Sequence, residues 1–225
     1  MLSRRSFLLA TPLVFAASNL VQAQATADID QALIRAAAKG DTRETLRLIS
    51  AGAKVTARDE SGRTALLAAT QGNHAATARA LIDAGADVNA QADNRDSAFL
   101  LAGAEGYLDI LKLTLDHGAD LKSVNRFGGT ALIPAAHHGH VEAVRLLLGT
   151  KIAVDHVNAL GWTALLEAII LGDGGQRHIE IVRQLLAAGA NPNLADKDGT
   201  RPLVHARRRG YATIARLLEQ AGAAD

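Results

Sequence analysis

The chain has 225 residues, with 24 basic against 23 acidic side chains, 48% hydrophobic but only 3% aromatic residues, and no cysteine. A core of that composition must be built from Ala, Leu, Ile and Val in closely packed helices, because a β-sandwich asks for more Thr, Val, Tyr and Phe. A formal charge of +1 supplies no field for a nucleic-acid backbone, and the lack of cysteine excludes disulfides, thiolate zinc sites, cysteine nucleophiles and lipidated cysteine anchors.

Residues 1–25 contain no acid, open with Ser3-Arg4-Arg5-Ser6-Phe7-Leu8-Leu9, continue apolar to about Val21 and end in small residues at Ala23 and Ala25. This is the layout of a cleavable signal peptide. Arg4, Arg5, Phe7 and Leu8 resemble the twin-arginine export signal of bacteria, with ordinary secretory export as the alternative. Cleavage is expected after Ala25 or, alternatively, after Ala23. A retained membrane anchor is the third reading, but Pro12, Ser18 and Asn19 interrupt a run shorter than the roughly 18 to 20 residues a span requires. Removing Arg4 and Arg5 leaves 22 basic against 23 acidic side chains, so the mature chain carries a charge of −1. Export by this route implies folding in the cytoplasm and work in the periplasm of a Gram-negative bacterium, with only transient contact to the export machinery.

After a stub at 26–28 the chain repeats itself. Leu66, Phe99, Leu132, Leu165 and Leu203 are equivalent, at spacings of 33, 33, 33 and 38, and a second series in register runs through Gly52, Gly85, Gly118, Gly189 and Gly222. Each unit opens with a polar turn, then a capping residue (Thr64, Thr130, Thr163) and a short helix of small apolar residues. A break follows at Asn73, Gly106, Gly139, Gly172 or Gly210, where a left-handed backbone is easiest, and then a second helix. Helices of about nine residues cannot bury enough surface alone, so units must stack on their neighbours. Polar residues in the first unit and Arg207 in the last, where inner units have Ala136 or Gly103, mark capping units.

Gly62-Arg63-Thr64-Ala65-Leu66, Gly128-Gly129-Thr130-Ala131-Leu132 and Gly161-Trp162-Thr163-Ala164-Leu165 resemble the opening of the ankyrin repeat, and Leu81 to Asn89 resembles its close. The chain is identified as a member of that family over about Ile29 to Asp225. The resemblance implies an all-α ankyrin-repeat solenoid of about six helix-turn-helix units joined by β-hairpin-like turns, at about 29–57, 58–90, 91–123, 124–157, 158–195 and 196–225. Several departures stand out. The motif's histidine is replaced by Leu67, Leu100, Ile133, Leu166 and Val204, Arg95 stands at a turn glycine, and Lys151 at a helix-ending glycine, so that unit's second helix should end early. Five extra residues, Asp173-Gly174-Gly175-Gln176-Arg177, predict a mobile loop.

No nucleophile or acid/base pair assembles from this pattern, so no enzyme and no cofactor is expected. His137, His138, His140 and His178 are the one group that could serve a metal or small molecule, the alternative reading. Against it, His74, His140 and His178 follow the family's Gly-His step, where the ring supports the turn. In ankyrin arrays the turn tips and first-helix ends line a concave surface. Here it grades from acidic (Glu60, Asp93, Asp96, Glu105) through apolar and aromatic (Phe127, Leu160, Trp162, Ile170, Leu171, beside Arg126, His137 and His138) to basic (Lys197, Arg208, Arg209). Exposed aromatics beside arginine have the composition of a binding hot spot. The expected function is therefore a monomeric, non-catalytic adaptor or protector that binds another periplasmic protein, with no role for nucleic acid or, after cleavage, for membrane. The competing reading of Trp162 is local packing on its own turn or on Phe127.

Overall fold

The computed structural model describes residues 26–224, so the export residues Arg4, Arg5, Phe7, Leu8, Ala23 and Ala25 lie outside the described residues. Twelve helices run through the described residues in six antiparallel pairs: α1 (26–38) with α2 (Thr42–Ser50), α3 (Ala65–Gln71) with α4 (Ala75–Asp83), α5 (Ala98–Glu105) with α6 (Leu108–Asp116), α7 (Leu132–His137) with α8 (Val141–Leu148), α9 (Ala164–Ile170) with α10 (Gln176–Ala187), and α11 (Pro202–Arg208) with α12 (Ala212–Gln220). Each pair packs on the next, giving a two-layer stack in which first helices touch first helices and second helices touch second helices. No helix among the described residues is long and apolar enough to cross a membrane.

Small residues set the spacing of the first-helix layer. Ala65, Ala68 and Ala69, then Ala98 and Ala102, then Ala135, Ala136, Ala164 and Ala168 are all buried between neighbours, with Leu66, Phe99, Leu132 and Leu165 filling the space behind them. At Gly103 a side-chain carbon would lie 2.8 Å from Ala131 Cβ, so α5 and α7 approach to a distance that only glycine permits. The end units have one wet face. Arg207 is exposed and its guanidinium donates to Glu219 Oε1 at 2.7 Å, whereas Gly103 and Ala136 at the same register are buried.

Of the three threonines expected to cap first helices, Thr64 and Thr163 do so and Thr130 does not, while Ser97 caps α5. The N–H groups of Leu67, Leu100 and Leu166 donate to Thr64 Oγ1, Ser97 Oγ and Thr163 Oγ1 at 3.3, 3.2 and 3.2 Å. Thr130 does not cap, and its hydroxyl is buried without a partner among the described residues. The cause is Pro134. In the other units the residue at this position donates its N–H to the capping residue's carbonyl, as Ala68 does to Thr64 and Glu167 to Thr163. Proline has no N–H, so the Thr130 carbonyl is taken by Ile133 N–H at 3.2 Å, the donor that the hydroxyl would have held.

The connections between units correct the expectation of β-hairpin-like turns. No strand occurs among the described residues, and the backbone pairing that a hairpin would need is reduced to one isolated antiparallel bridge, Arg58 with Thr64. Side chains replace the ladder. Asp59, Asn125, Asn158 and Asp196 each place Oδ1 between two backbone N–H groups of the same turn: Ser61 and Arg63, Phe127 and Gly129, Leu160 and Trp162, Asp198 and Thr200, at 2.8 to 3.0 Å. The unit at 91–123 has Ala92 at this position. Its turn borrows Asn94 Oδ1, which accepts from Asp96 N–H at 3.0 Å, and holds Arg95 at φ 65°, where its counterparts Gly62, Gly128, Gly161 and Gly199 lie between 71° and 85°.

Two further expectations meet different outcomes. With Lys151 in place of a left-handed glycine, α8 stops at Leu148, and Thr150 Oγ1 donates to the Leu147 carbonyl at 2.6 Å. The five extra residues do not form a loose loop. Gln176 and Arg177 add to the start of α10, which reaches 12 residues, and the remainder is pinned. Tyr211 Oη and the Arg209 guanidinium both donate to the Gly172 carbonyl, at 2.9 and 3.1 Å, while Asp173 Oδ1 accepts from Gly175 N–H at 2.8 Å. The left-handed residue here is Gly174 rather than Gly172, at which a side-chain carbon would collide with Ala168 O and the His178 ring.

The capping difference predicts opposite costs for one substitution. Thr64→Val should lower stability by about 1 kcal/mol or more, whereas Thr130→Val, which removes an unpartnered buried hydroxyl, should cost less than about 0.5 kcal/mol. Urea unfolding of the two variants checks this, and equal losses would contradict it.

Candidate recognition surface

The turns and the ends of the first helices carry the expected binding residues. Phe127 and Leu160, at the tips of successive turns, are half exposed, and Ala159 N–H donates to the Phe127 carbonyl at 2.9 Å, which locks the two tips together. Arg126 lies over the Phe127 ring with its guanidinium carbon 4.7 Å from the centroid, a cation–π contact. Trp162 is half-buried at the foot of the same turn as Leu160, its N–H held by Asn158 Oδ1 at 3.0 Å. No ring contact joins Trp162 to Phe127 among the described residues.

The helix ends form a second row. His137, Ile170 and Arg208 occupy one register on α7, α9 and α11, followed by His138, Leu171 and Arg209. Ile170 and His137 are half-buried, and Leu171, His138 and Arg208 are exposed. Arg208 makes no hydrogen bond or ion pair with the described residues, so its charge faces outward. Other residues of the expected surface are already engaged. Arg63 bonds Asp59 Oδ2 and Gln71 Oε1 at 2.9 and 2.6 Å, Lys197 donates to the Ala159 carbonyl across the neighbouring tip, and Arg209 is tied to Tyr211 and Gly172. The acidic residues Glu60, Asp93 and Glu105 remain exposed at the other end.

The histidines are structural links between units. His74 Nε2 meets the Ala38 carbonyl at 3.3 Å, His138 Nδ1 the Ala104 carbonyl at 2.8 Å and His178 Nε2 the His137 carbonyl at 2.9 Å, while His178 Nδ1 lies 2.7 Å from Asp173 Oδ1. A ring committed to a carbonyl has that nitrogen occupied as a donor. Among the described residues no three His, Asp or Glu side chains converge as a metal site, and the alternative reading of this group as a metal or small-molecule site finds no support. Burial, with neighbouring His138 adding to it, holds the His137 and His140 pKa values below the ordinary imidazole value.

Two buried residues that sequence reasoning passed over, Glu167 and Asn158, lie beneath the surface. Glu167 is buried in α9, with Oε1 accepting from Asn158 Nδ2 at 2.7 Å and Oε2 3.8 Å from His137 Nδ1. Burial raises its pKa, offset in part by the Asn158 hydrogen bond and by the nearby His138. Burial thus pushes both Glu167 and His137 toward their neutral forms, so their contact is not a strong ion pair. The signal for Asn158 was present in the sequence as an Asp or Asn recurring with the repeat at 59, 125, 158 and 196. Glu167 was signalled as the one acid in a row otherwise made of Ala68, Leu101, Pro134 and His205.

Stacked helix pairs, caps and outward-facing turns define a repeat scaffold. The family model for ankyrin repeats, covering three copies of the repeat, matches residues 14–92 and 99–196, and the chain belongs to the ankyrin-repeat family. A crystal structure of an ankyrin repeat domain from Acinetobacter baumannii AYE is similar at 59% identity and a TM-score of 0.83, covering 85% of this chain and 98% of that one. The ankyrin repeat protein EF0377 is 39% identical with a TM-score of 0.81, covering 84% of this chain and 96% of that one. The ankyrin repeat domain of Bcl-3, a member of the IkappaB protein family, is 28% identical with a TM-score of 0.76, covering 85% and 86%. The ankyrin repeat protein YahD of Escherichia coli (strain K12) is 54% identical over 57 residues, which is 25% of this chain and only 28% of that protein. The ankyrin-repeat fold is a non-catalytic scaffold, and ankyrin-fold proteins generally act as protein–protein interaction modules.

The pKa shifts predict slopes of opposite sign. His140 has a lowered pKa in the folded state, so below about pH 6.5 the unfolded chain binds the proton first and stability falls with acidification until the folded-state value is passed. Glu167 has a raised pKa, so its destabilisation is present above the folded-state value and is relieved as pH falls through it toward 4.5. Measured by denaturation between about pH 7 and 4, His140→Gln should flatten the wild-type decline in stability on the neutral side, and Glu167→Gln should remove the relief that wild type gains as pH falls toward 4.5. Parallel curves for all three proteins would contradict both assignments.

Proposed function

We propose that the protein is a periplasmic adaptor or protector that binds another protein through the paired tips at Phe127 and Leu160. The observation that carries this reading is the exposure of two large apolar side chains on adjacent turns that are themselves rigid. A flexible loop would lose conformational entropy on binding, whereas turns fixed by the Asn125 and Asn158 side chains present their side chains already ordered. Trp162, Ile170, Leu171, His137 and His138 extend the apolar surface inward, and Arg126 and Arg208 border it with positive charge. A protein segment with apolar side chains flanked by a carboxylate fits this border, and the acidic residues at the other end discourage a second acidic stretch. The chain acts as a monomer, since its end units carry polar caps.

The twin-arginine reading of Arg4, Arg5, Phe7 and Leu8 supports export and places the partner in the periplasm. Lysine at both Arg4 and Arg5 should leave unprocessed protein in the cytoplasm, while the wild type yields a periplasmic form beginning at Gln24 or Thr26. Cell fractionation and N-terminal sequencing check this, and processing that is unchanged in the variant would contradict the twin-arginine route.

The binding reading is tested by affinity capture from periplasmic extract with the mature chain, beside a Phe127→Ala, Trp162→Ala double variant. A partner held by the wild type should be weakened at least tenfold in the variant, consistent with loss of about 2 kcal/mol at a hot spot, with the helical circular dichroism signal unchanged. Equal capture by both proteins would contradict the assignment.

A further inference from the structure

At four turns the base is an Asp or Asn whose Oδ1 accepts from two backbone N–H groups, and at three of these, all but Asn125, the second polar atom meets a side chain that matches its chemistry. At Asp59 that atom is an oxygen, and a donor meets it: Arg63 Nε at 2.9 Å from Oδ2. At Asp196 it is again an oxygen, and His205 Nε2 stands 2.7 Å from Oδ2. At Asn158 the second atom is an NH2 group, and an acceptor meets it, Glu167 Oε1 at 2.7 Å. Glu167 and His205 occupy the same register on α9 and α11, so one structural position carries an acid opposite Asn and a base opposite Asp. An asparagine amide is nearly symmetric in shape and can turn over, which would put NH2 against the two turn N–H groups. An ionised Glu167 carboxylate has acceptors only and excludes the flipped amide. The protonated form still offers an acceptor oxygen to the amide N–H in the orientation that the two turn N–H groups select.

We propose that Glu167 is the positioning residue of the recognition tip: by fixing the Asn158 amide, it holds the turn that presents Leu160 and Trp162. The inference rests on the binding reading for its functional meaning, but its geometry is testable without a partner. Asn158 is itself buried, at 6% exposure, and each of its polar atoms is used: N–H to the Trp162 carbonyl, carbonyl from Gly161 N–H, Oδ1 from Leu160 and Trp162, and Nδ2 to Glu167. Glu167 is also buried at 6%, with little surface to offer a ligand, so its place in the site is indirect. The His137 ring, 3.8 Å away on the preceding unit, touches the same carboxyl and ties the tip to the neighbouring helix end.

Trp162 is the only tryptophan in the chain, so its fluorescence reports this turn alone. The mature chain is compared with Glu167→Gln, Glu167→Leu, Asn158→Asp, and the double variant Asn158→Asp, Glu167→His, which installs the pair seen at Asp196 and His205. Glu167→Gln keeps an acceptor and should retain the wild-type emission maximum and acrylamide quenching. Glu167→Leu and Asn158→Asp, which leave an unmatched amide or two opposed carboxyl groups, should red-shift the emission and raise the quenching constant at least twofold with helicity retained. The double variant should return both readings to wild-type values. If Glu167→Leu and Asn158→Asp both leave the Trp162 signal unchanged, or if the double variant is no better than Asn158→Asp alone, the positioning role is overturned. Partner capture is then read on the same proteins. Capture that tracks the fluorescence supports the role at the recognition tip. Unaffected capture beside a shifted fluorescence keeps Glu167 as the turn's positioning residue and overturns the binding reading.

Discussion

Everything in this molecule depends on the close approach of successive first helices. A pair of short helices has too little apolar surface to hold itself together, so each unit is stable only while its neighbours cover it. The contact of Gly103 with Ala131 sets how near two units come, and the buried alanines of α3, α5, α7 and α9 extend that spacing along the stack. The turns inherit it. Because the helices are close, the Phe127 carbonyl can reach Ala159 N–H, and two exposed apolar side chains become neighbours in a surface that no single unit contains.

The same spacing explains how polar side chains are spent. His74, His138, His178 and Tyr211 each reach from one unit to a carbonyl of the unit before it, satisfying backbone groups at the ends of first helices that have no partner within their own helix. These bonds are the reason that a cluster of histidines with the look of a ligand set is instead part of the scaffold. Three turn bases, Asp59, Asn158 and Asp196, are treated similarly, each meeting a donor or acceptor that matches it. Left facing outward at the tips and first-helix ends are the exposed apolar side chains of Phe127, Leu160 and Leu171, with Arg208 beside them.

Most of the fold was legible because the repeat states each position several times over. Leucine and glycine series in register reveal two helices per unit, and the departures at Lys151 and Arg207 were readable against that background. Features that depend on one residue changing a neighbour's bonding were not. The Thr130 position carries the residue of a cap, and only the missing N–H of Pro134, four residues on, disables it. The extra residues at 173–177 have the composition of a free loop, yet Tyr211 and Arg209 from the following unit fasten the chain at Gly172. The turns lack strands because side chains of Asp59, Asn125, Asn158 and Asp196 take the N–H groups that a β-ladder would use. At the surface, the tips were predictable from the repeat register and Glu167 stood out as the one acid in its row, but its pairing with Asn158 was not legible, since the fold of the turn brings the two together.

The central claim, that recognition belongs to the tips and not to the outer helices, is tested most directly by site-specific photocrosslinking. A photoreactive side chain is placed at Leu160 in one protein and at Leu46, an equally exposed leucine on α2, in another. Irradiation in periplasmic extract should yield one discrete adduct from the Leu160 position and none from the Leu46 position. The same adduct from Leu46, or from neither position in a protein that still captures its partner, would place the binding surface elsewhere on the stack.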